Sequence, residues 1–84
     1  MEREGFIAAD PRGLMQFLKE RRIRQGFTQW DVAEAVGTQQ SAIHDWDRGA
    51  GITLENTMIY ASALGFRVAL IPFSYEGDAE DELA

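Results

Sequence analysis

The stretch 28-TQWDVAEAVGTQQSAIHDWDRG-49 holds two short amphipathic patterns with a single glycine between them. Thr28 has the side chain of a helix N-cap, and Asp31, three residues on, complements the positive end of the helix it opens. Val32, Ala33 and Val36 then fall on one face, and Gly37 ends the segment. A second segment starts at once. Thr38 or Gln39 opens it, Ala42, Ile43 and Trp46 share its apolar face, and Gly49 ends it. The spacing predicts two helices of about two turns each, joined by a tight turn.

Upstream, Asp10-Pro11 is a helix opening, with Asp as N-cap and Pro at the first helical position. Leu14, Phe17, Leu18 and Ile23 form the expected buried stripe, Gly13 weakens the first turn slightly, and Gly26 supplies a left-handed stop. This predicts a helix over about residues 11–25. Downstream, Thr53 caps a fourth helix carrying Leu54, Met58, Ala61 and Leu64, stopped by Gly65. The stretch 66-FRVALIPF-73 changes character: helical period is lost, and β-branched and aromatic residues take over. It is expected to form a strand, and Pro72 confines that strand to an edge or an end. No other strand is evident, and one strand cannot satisfy its own backbone. The expected partner is the same strand of a second copy, antiparallel across a two-fold axis, with Phe66, Val68, Leu70 and Ile71 as the dimerising residues. The expected organisation is a loose start (1–9), a mostly α domain of four to five helices (10–65), a dimerising β-strand (66–73) and an acidic tail (74–84).

The chain has 84 residues, 45% of them hydrophobic, which fits one small domain with a thin core that a partner subunit would help stabilise. It has no Cys, so disulfides, thiol nucleophiles and thiolate metal sites are excluded. The longest apolar run, 68-VALI-71, is too short to span a membrane, and no basic-then-apolar leader is evident. A soluble protein of the cytoplasm, in a bacterial or phage-infected cell, is expected. The formal net charge of -6 is unevenly spread. Residues 74–84 carry five acids and no base, so residues 1–73 hold 9 acids against 8 bases, a balance of -1. Arg12, Lys19, Arg21, Arg22 and Arg24 cluster beside only one acid, Glu20. A nearly neutral domain with a basic segment and an acidic tail describes the chain better than its total charge does.

Two short helices around a glycine turn make a helix-turn-helix. In that motif the second helix lies in the major groove and presents its first residues to base edges. Glutamine bonds bidentately to adenine, while Ser and Thr bond several edges. Free N–H groups at Thr28 and Gln29 suit phosphate oxygens. With Arg22, Gly26, Thr28-Gln29, Val32-Ala33, Val36-Gly37, Ser41, Ile43, Trp46, Asp47, Gly49, Leu54, Ala61 and Leu64-Gly65 at these spacings, the chain resembles the lambda-repressor-like (Cro/C1, XRE-type) helix-turn-helix family over about residues 14–65. The resemblance implies operator binding, as a homodimer on two-fold-related half-sites. It also implies a structural ion pair between Arg22 and Asp47, and a DNA-facing set at positions 29, 39, 40, 41, 44 and 45. Gly37, Ile43, Trp46 and Gly49 fix the register, so Gln40 rather than Gln39 takes the first base-reading position. The expected DNA-binding residues are Thr28, Gln29, Thr38, Gln39, Gln40, Ser41, His44, Asp45, Arg48 and Arg24. Lys19, Arg21 and Arg24 read equally as phosphate contacts or as solvated charge.

The chain departs from the family pattern at several positions. Asp45 stands where a basic or amide residue is common; it would repel phosphate but could accept from cytosine N4. His44 replaces a small polar residue, Trp30 a charged one, and Thr57 an expected core leucine. His44 has no second His or Cys to join in a metal site. No nucleophile–base pair, phosphate loop or carboxylate cluster points to an enzyme, and no cofactor is expected. The expected function is a sequence-specific transcriptional regulator, a phage or bacterial repressor or Cro-like protein. The alternative is the antitoxin of a type II toxin–antitoxin pair, with a toxin as protein partner and its own operon as target.

Overall fold

The structure, a computed structural model, describes residues 5–72. Among them are four helices: α1 (Pro11–Arg24), α2 (Gln29–Val36), α3 (Gln40–Asp47) and α4 (Leu54–Ala63). Three open on side-chain caps. Asp10 Oδ1 accepts from the Gly13 amide at 2.6 Å, and Thr53 Oγ1 accepts from the Asn56 amide at 3.0 Å. At α2 the cap is reciprocal: Thr28 Oγ1 accepts from the Asp31 amide at 3.0 Å, and Asp31 Oδ2 accepts from the Thr28 amide at 2.8 Å. Gln39 is the N-cap of α3 and makes no side-chain cap bond.

Gly37 makes the turn. Its φ is +77°, and the Gly37 and Thr38 amides both donate to Ala33 O, which closes α2. A Cβ at this position would meet nothing within 4 Å, so Gly37→Ala costs only the left-handed backbone. The expected loss is ~1–2 kcal/mol, read as a lower urea midpoint. An unchanged midpoint would mean that the turn escapes the left-handed region at no cost.

The helices close around Met15, Leu18, Val32, Ala33, Ile43, Trp46, Tyr60, Ala61 and Leu64. The faces of α2 and α3 are as the sequence predicts: Val32, Ala33, Ile43 and Trp46 are buried, and Val36 and Ala42 are partly so. Two other stripes are shifted. In α1 the buried residues are Met15, Leu18 and Arg22, spaced three and four apart, while Ile23 is 57% exposed. In α4 they are Thr57, Tyr60 and Ala61, while Leu54 and Met58 face solvent. The shift has a cause. Arg22, Thr57 and Tyr60 are buried because their polar atoms find partners; Thr57, for example, donates from Oγ1 to Thr53 O at 2.8 Å.

The C-terminal segment is not laddered within the single chain. No strand is present among the described residues, and residues 66–72 follow α4 without a ladder. A strand needs a second strand to accept its N–H groups, and the expected one belongs to a second copy. Phe66 instead packs edge-on against Phe17, with centroids 5.5 Å apart, and Val68 also lies against the core. Leu70 is 99% exposed and Ile71 is also exposed. Residue 73, the acidic tail at 74–84 and residues 1–4 lie outside the described residues. The start of the described chain makes a definite contact: Phe6 stacks on Phe17, with centroids 4.4 Å apart and rings 11° from parallel. Residues 5–8 and 66–71 thus flank α1 and line a groove of about 670 Å³.

Candidate nucleic-acid interface

A buried polar cluster holds the helices that carry the site. Arg22, on α1, is 7% exposed. Its Nε donates to the Tyr60 hydroxyl at 2.9 Å, one terminal nitrogen to Phe27 O at 2.8 Å, and the other to Asp47 Oδ2 at 2.9 Å. Arg22 and Asp47 therefore form an ion pair with both side chains under 10% exposed. Tyr60 donates in turn to Asp47 Oδ1 at 2.7 Å. Burial, and after it the Asp47 carboxylate, holds the Tyr60 hydroxyl well above the usual phenol range, so it stays a proton donor. Every polar atom of this cluster has a partner, which makes a buried charge tolerable.

The cluster reaches the surface through α2. Gln29 Nε2 donates to Asp47 Oδ2 at 2.9 Å, and Gln29 Oε1 accepts from Gln40 Nε2 at 2.6 Å. Gln29 and Gln40 are half-buried; Gln39, Ser41, His44, Asp45 and Arg48 are exposed along α3, and Thr28 is exposed at the start of α2. Thr38, Gln39, Gln40 and Ser41 line a shallow groove of about 590 Å³ together with Trp30, Ala33 and Glu34. Trp30 is 69% exposed at its edge, whereas Trp46 is core. Asp45 and Arg48 approach to 4.0 Å, both more than half exposed, so each partly offsets the other's charge.

The basic segment of α1 divides. Arg22 is spent on the cluster. Arg21 lies over the Phe17 and Phe66 rings, 5.6 Å from each centroid, on the side of the C-terminal segment. Arg24 is exposed at the end of α1. Phe66 and Val68, expected at a dimer interface, pack on their own domain, while Leu70 and Ile71 are exposed. One residue of the site, Tyr60, and one link between expected residues are absent from the sequence reading. Tyr60 has a signal in the sequence: it is a tyrosine three residues from Thr57 and one from Ala61, on the face that buries Leu64. The link from Asp47 through Gln29 to Gln40 had no signal in the sequence, because it joins the start of α2 to both ends of α3 by side-chain tips. Among the described residues no helix is long and apolar enough to cross a membrane, and no group of three His, Asp or Glu side chains is placed to hold a metal.

Four packed helices, with a glycine turn between the second and third and polar side chains at the start of the third, define a helix-turn-helix DNA-binding domain. The chain belongs to the Cro/C1-type helix-turn-helix family, whose model matches residues 18–71. No curated protein matches it significantly. Solved structures of HipB share the fold. A complex of a HipB variant with a 20-mer, O2, superposes with a TM-score of 0.74 at 21% identity, covering 83% of this chain and 99% of that one. A HipB–O4 20-mer complex gives a TM-score of 0.73 at 21% identity over 82% of this chain and 99% of that one. A HipA–HipB–O2–O3 complex gives 0.73 at 21% identity with the same coverage.

Proposed function

We propose that this chain is an operator-binding regulator of the antitoxin kind: a homodimer that reads duplex DNA through α3, regulates its own operon and holds a toxin as protein partner. The observation that carries the DNA reading is the Gln29–Gln40 pair at the α2–α3 mouth. It projects an amide, already braced, from the first turn of the helix that enters the groove. Thr28, Thr38, Gln39, Ser41 and His44 surround it as further base or phosphate contacts, with Arg48 and Arg24 as phosphate contacts. Asp45 is an acceptor for cytosine N4. The likeness to HipB supports the protein partner, since that fold occurs in one assembly with HipA as well as with O2 and O3. The second reading is a stand-alone repressor or Cro-like protein, favoured by the family match alone.

Gln40→Ala is expected to cost about 1–3 kcal/mol on a selected operator and to relax base choice at one position. Arg24→Ala is expected to weaken every sequence alike. Titration of both variants on the operator and on a scrambled duplex decides this. Equal losses on both duplexes for Gln40→Ala remove it from base reading. Co-expression with the neighbouring reading frame separates the two biological readings. A frame that arrests growth alone and is neutralised by this chain establishes the antitoxin; a harmless neighbour leaves the stand-alone regulator.

A further inference from the structure

Asp47 has a position that an ion pair alone does not require. It lies at the end of α3, yet its Oδ2 serves two donors at once, Arg22 and Gln29, each at 2.9 Å. Its Oδ1 is taken by the Tyr60 hydroxyl at 2.7 Å. A carboxylate only accepts. Gln29 must therefore turn its NH2 toward Asp47, which leaves its carbonyl oxygen facing Gln40. That oxygen only accepts too, so Gln40 must turn its own NH2 toward Gln29, as the 2.6 Å contact records. Gln40 is left with Oε1 and one amide hydrogen, in an order fixed from the interior. A free glutamine would present its two ends in either order.

We infer that Asp47 is a positioning residue for base recognition: through Gln29, the buried Arg22–Asp47–Tyr60 cluster sets which end of the Gln40 amide meets each atom of the base edge. Adenine offers an N6 donor beside an N7 acceptor, and an amide held in one orientation matches that pair without first being ordered. The inference rests on Gln40 as the base reader, but its first test does not need DNA. In the free protein, the side-chain amide signals of Gln29 and Gln40 in a proton–nitrogen NMR correlation should lie away from those of solvated glutamine. Asp47→Asn can present either end to Gln29, and should return both signals toward the solvated position while the backbone spectrum stays folded. Gln29→Leu leaves the buried pair intact and should move the Gln40 signal by itself, which keeps the test valid if Asp47→Asn fails to fold. A Gln40 signal unmoved in Gln29→Leu, or unmoved in folded Asp47→Asn, overturns the inference. On DNA, the preference at the position that Gln40 reads, about tenfold or more in the unaltered protein, should fall at least about threefold in either variant. A purely structural role would weaken selected and scrambled duplexes by the same factor. If Gln40→Ala leaves base choice unchanged, the base-reading assignment fails, and the NMR result still decides the relay.

Discussion

Asp47→Ala should lower the unfolding free energy by about 3–5 kcal/mol, a large share of the total for a domain of this size. The substitution leaves the Arg22 guanidinium buried with no opposite charge. It also takes the acceptor from the Tyr60 hydroxyl and from Gln29 Nε2. Asp45→Ala, two residues earlier on the same helix, should change stability by less than about 0.5 kcal/mol. Its contact with Arg48 is 4.0 Å long and open to solvent on both sides. Urea denaturation of the two variants makes the comparison, with the midpoint shift for Asp47→Ala several times the larger. Comparable midpoints would mean that the Arg22–Asp47 pair does not carry the fold.

The contrast between these two aspartates shows where the sequence was legible. The α2–turn–α3 unit could be read because its signals are local: a cap at Thr28, a left-handed glycine at 37 and apolar residues at helical spacing. The same held for the helix bounds, which caps and glycines mark within a residue or two. Choosing the buried face of α1 and α4 was harder, since hydropathy alone favours Ile23, Leu54 and Met58 over Arg22, Thr57 and Tyr60. Burial there depends on whether polar tips meet partners from other helices, and that information is tertiary. The ion pair of Arg22 with Asp47 was an expectation carried by family resemblance; Tyr60 and Gln29 joined it only once α4 and α2 were placed. The 66–73 segment is a related case: β-propensity marks a segment fit for pairing, and its expected partner belongs to a second chain.

The total charge of -6 argues against DNA only if charge acts at a distance. At physiological salt the Debye length is ~8 Å, so the local field at α3 decides. There, Asp45 beside Arg48 gives a nearly neutral rim rather than a basic one. Nonspecific affinity should therefore be weak, and discrimination between sites correspondingly sharp.

Removing residues 70–84 should convert the proposed dimer into a monomer and weaken operator binding by about 10²–10⁴-fold, the usual gain from tying two half-site modules together. Truncation after residue 69 is the informative cut, because Phe66 and Val68 pack on their own domain and must stay. What goes is Leu70, 99% exposed, and Ile71, also exposed, with the unladdered backbone around them. A bare apolar edge of this kind is an aggregation hazard unless a second chain covers it. Two copies joined antiparallel here would satisfy the backbone and bury Leu70 and Ile71 beside the groove formed by residues 5–8. The two-fold axis would then set the two α3 helices toward successive major grooves, about 34 Å apart. Deleting only 76–84 removes acid without touching this segment, and should leave the dimer intact. Sedimentation of both truncations, with operator titration alongside, gives the answer. A dimer that survives the loss of 70–84 would place the interface elsewhere, and Trp30, 69% exposed on α2, would be the first residue to test.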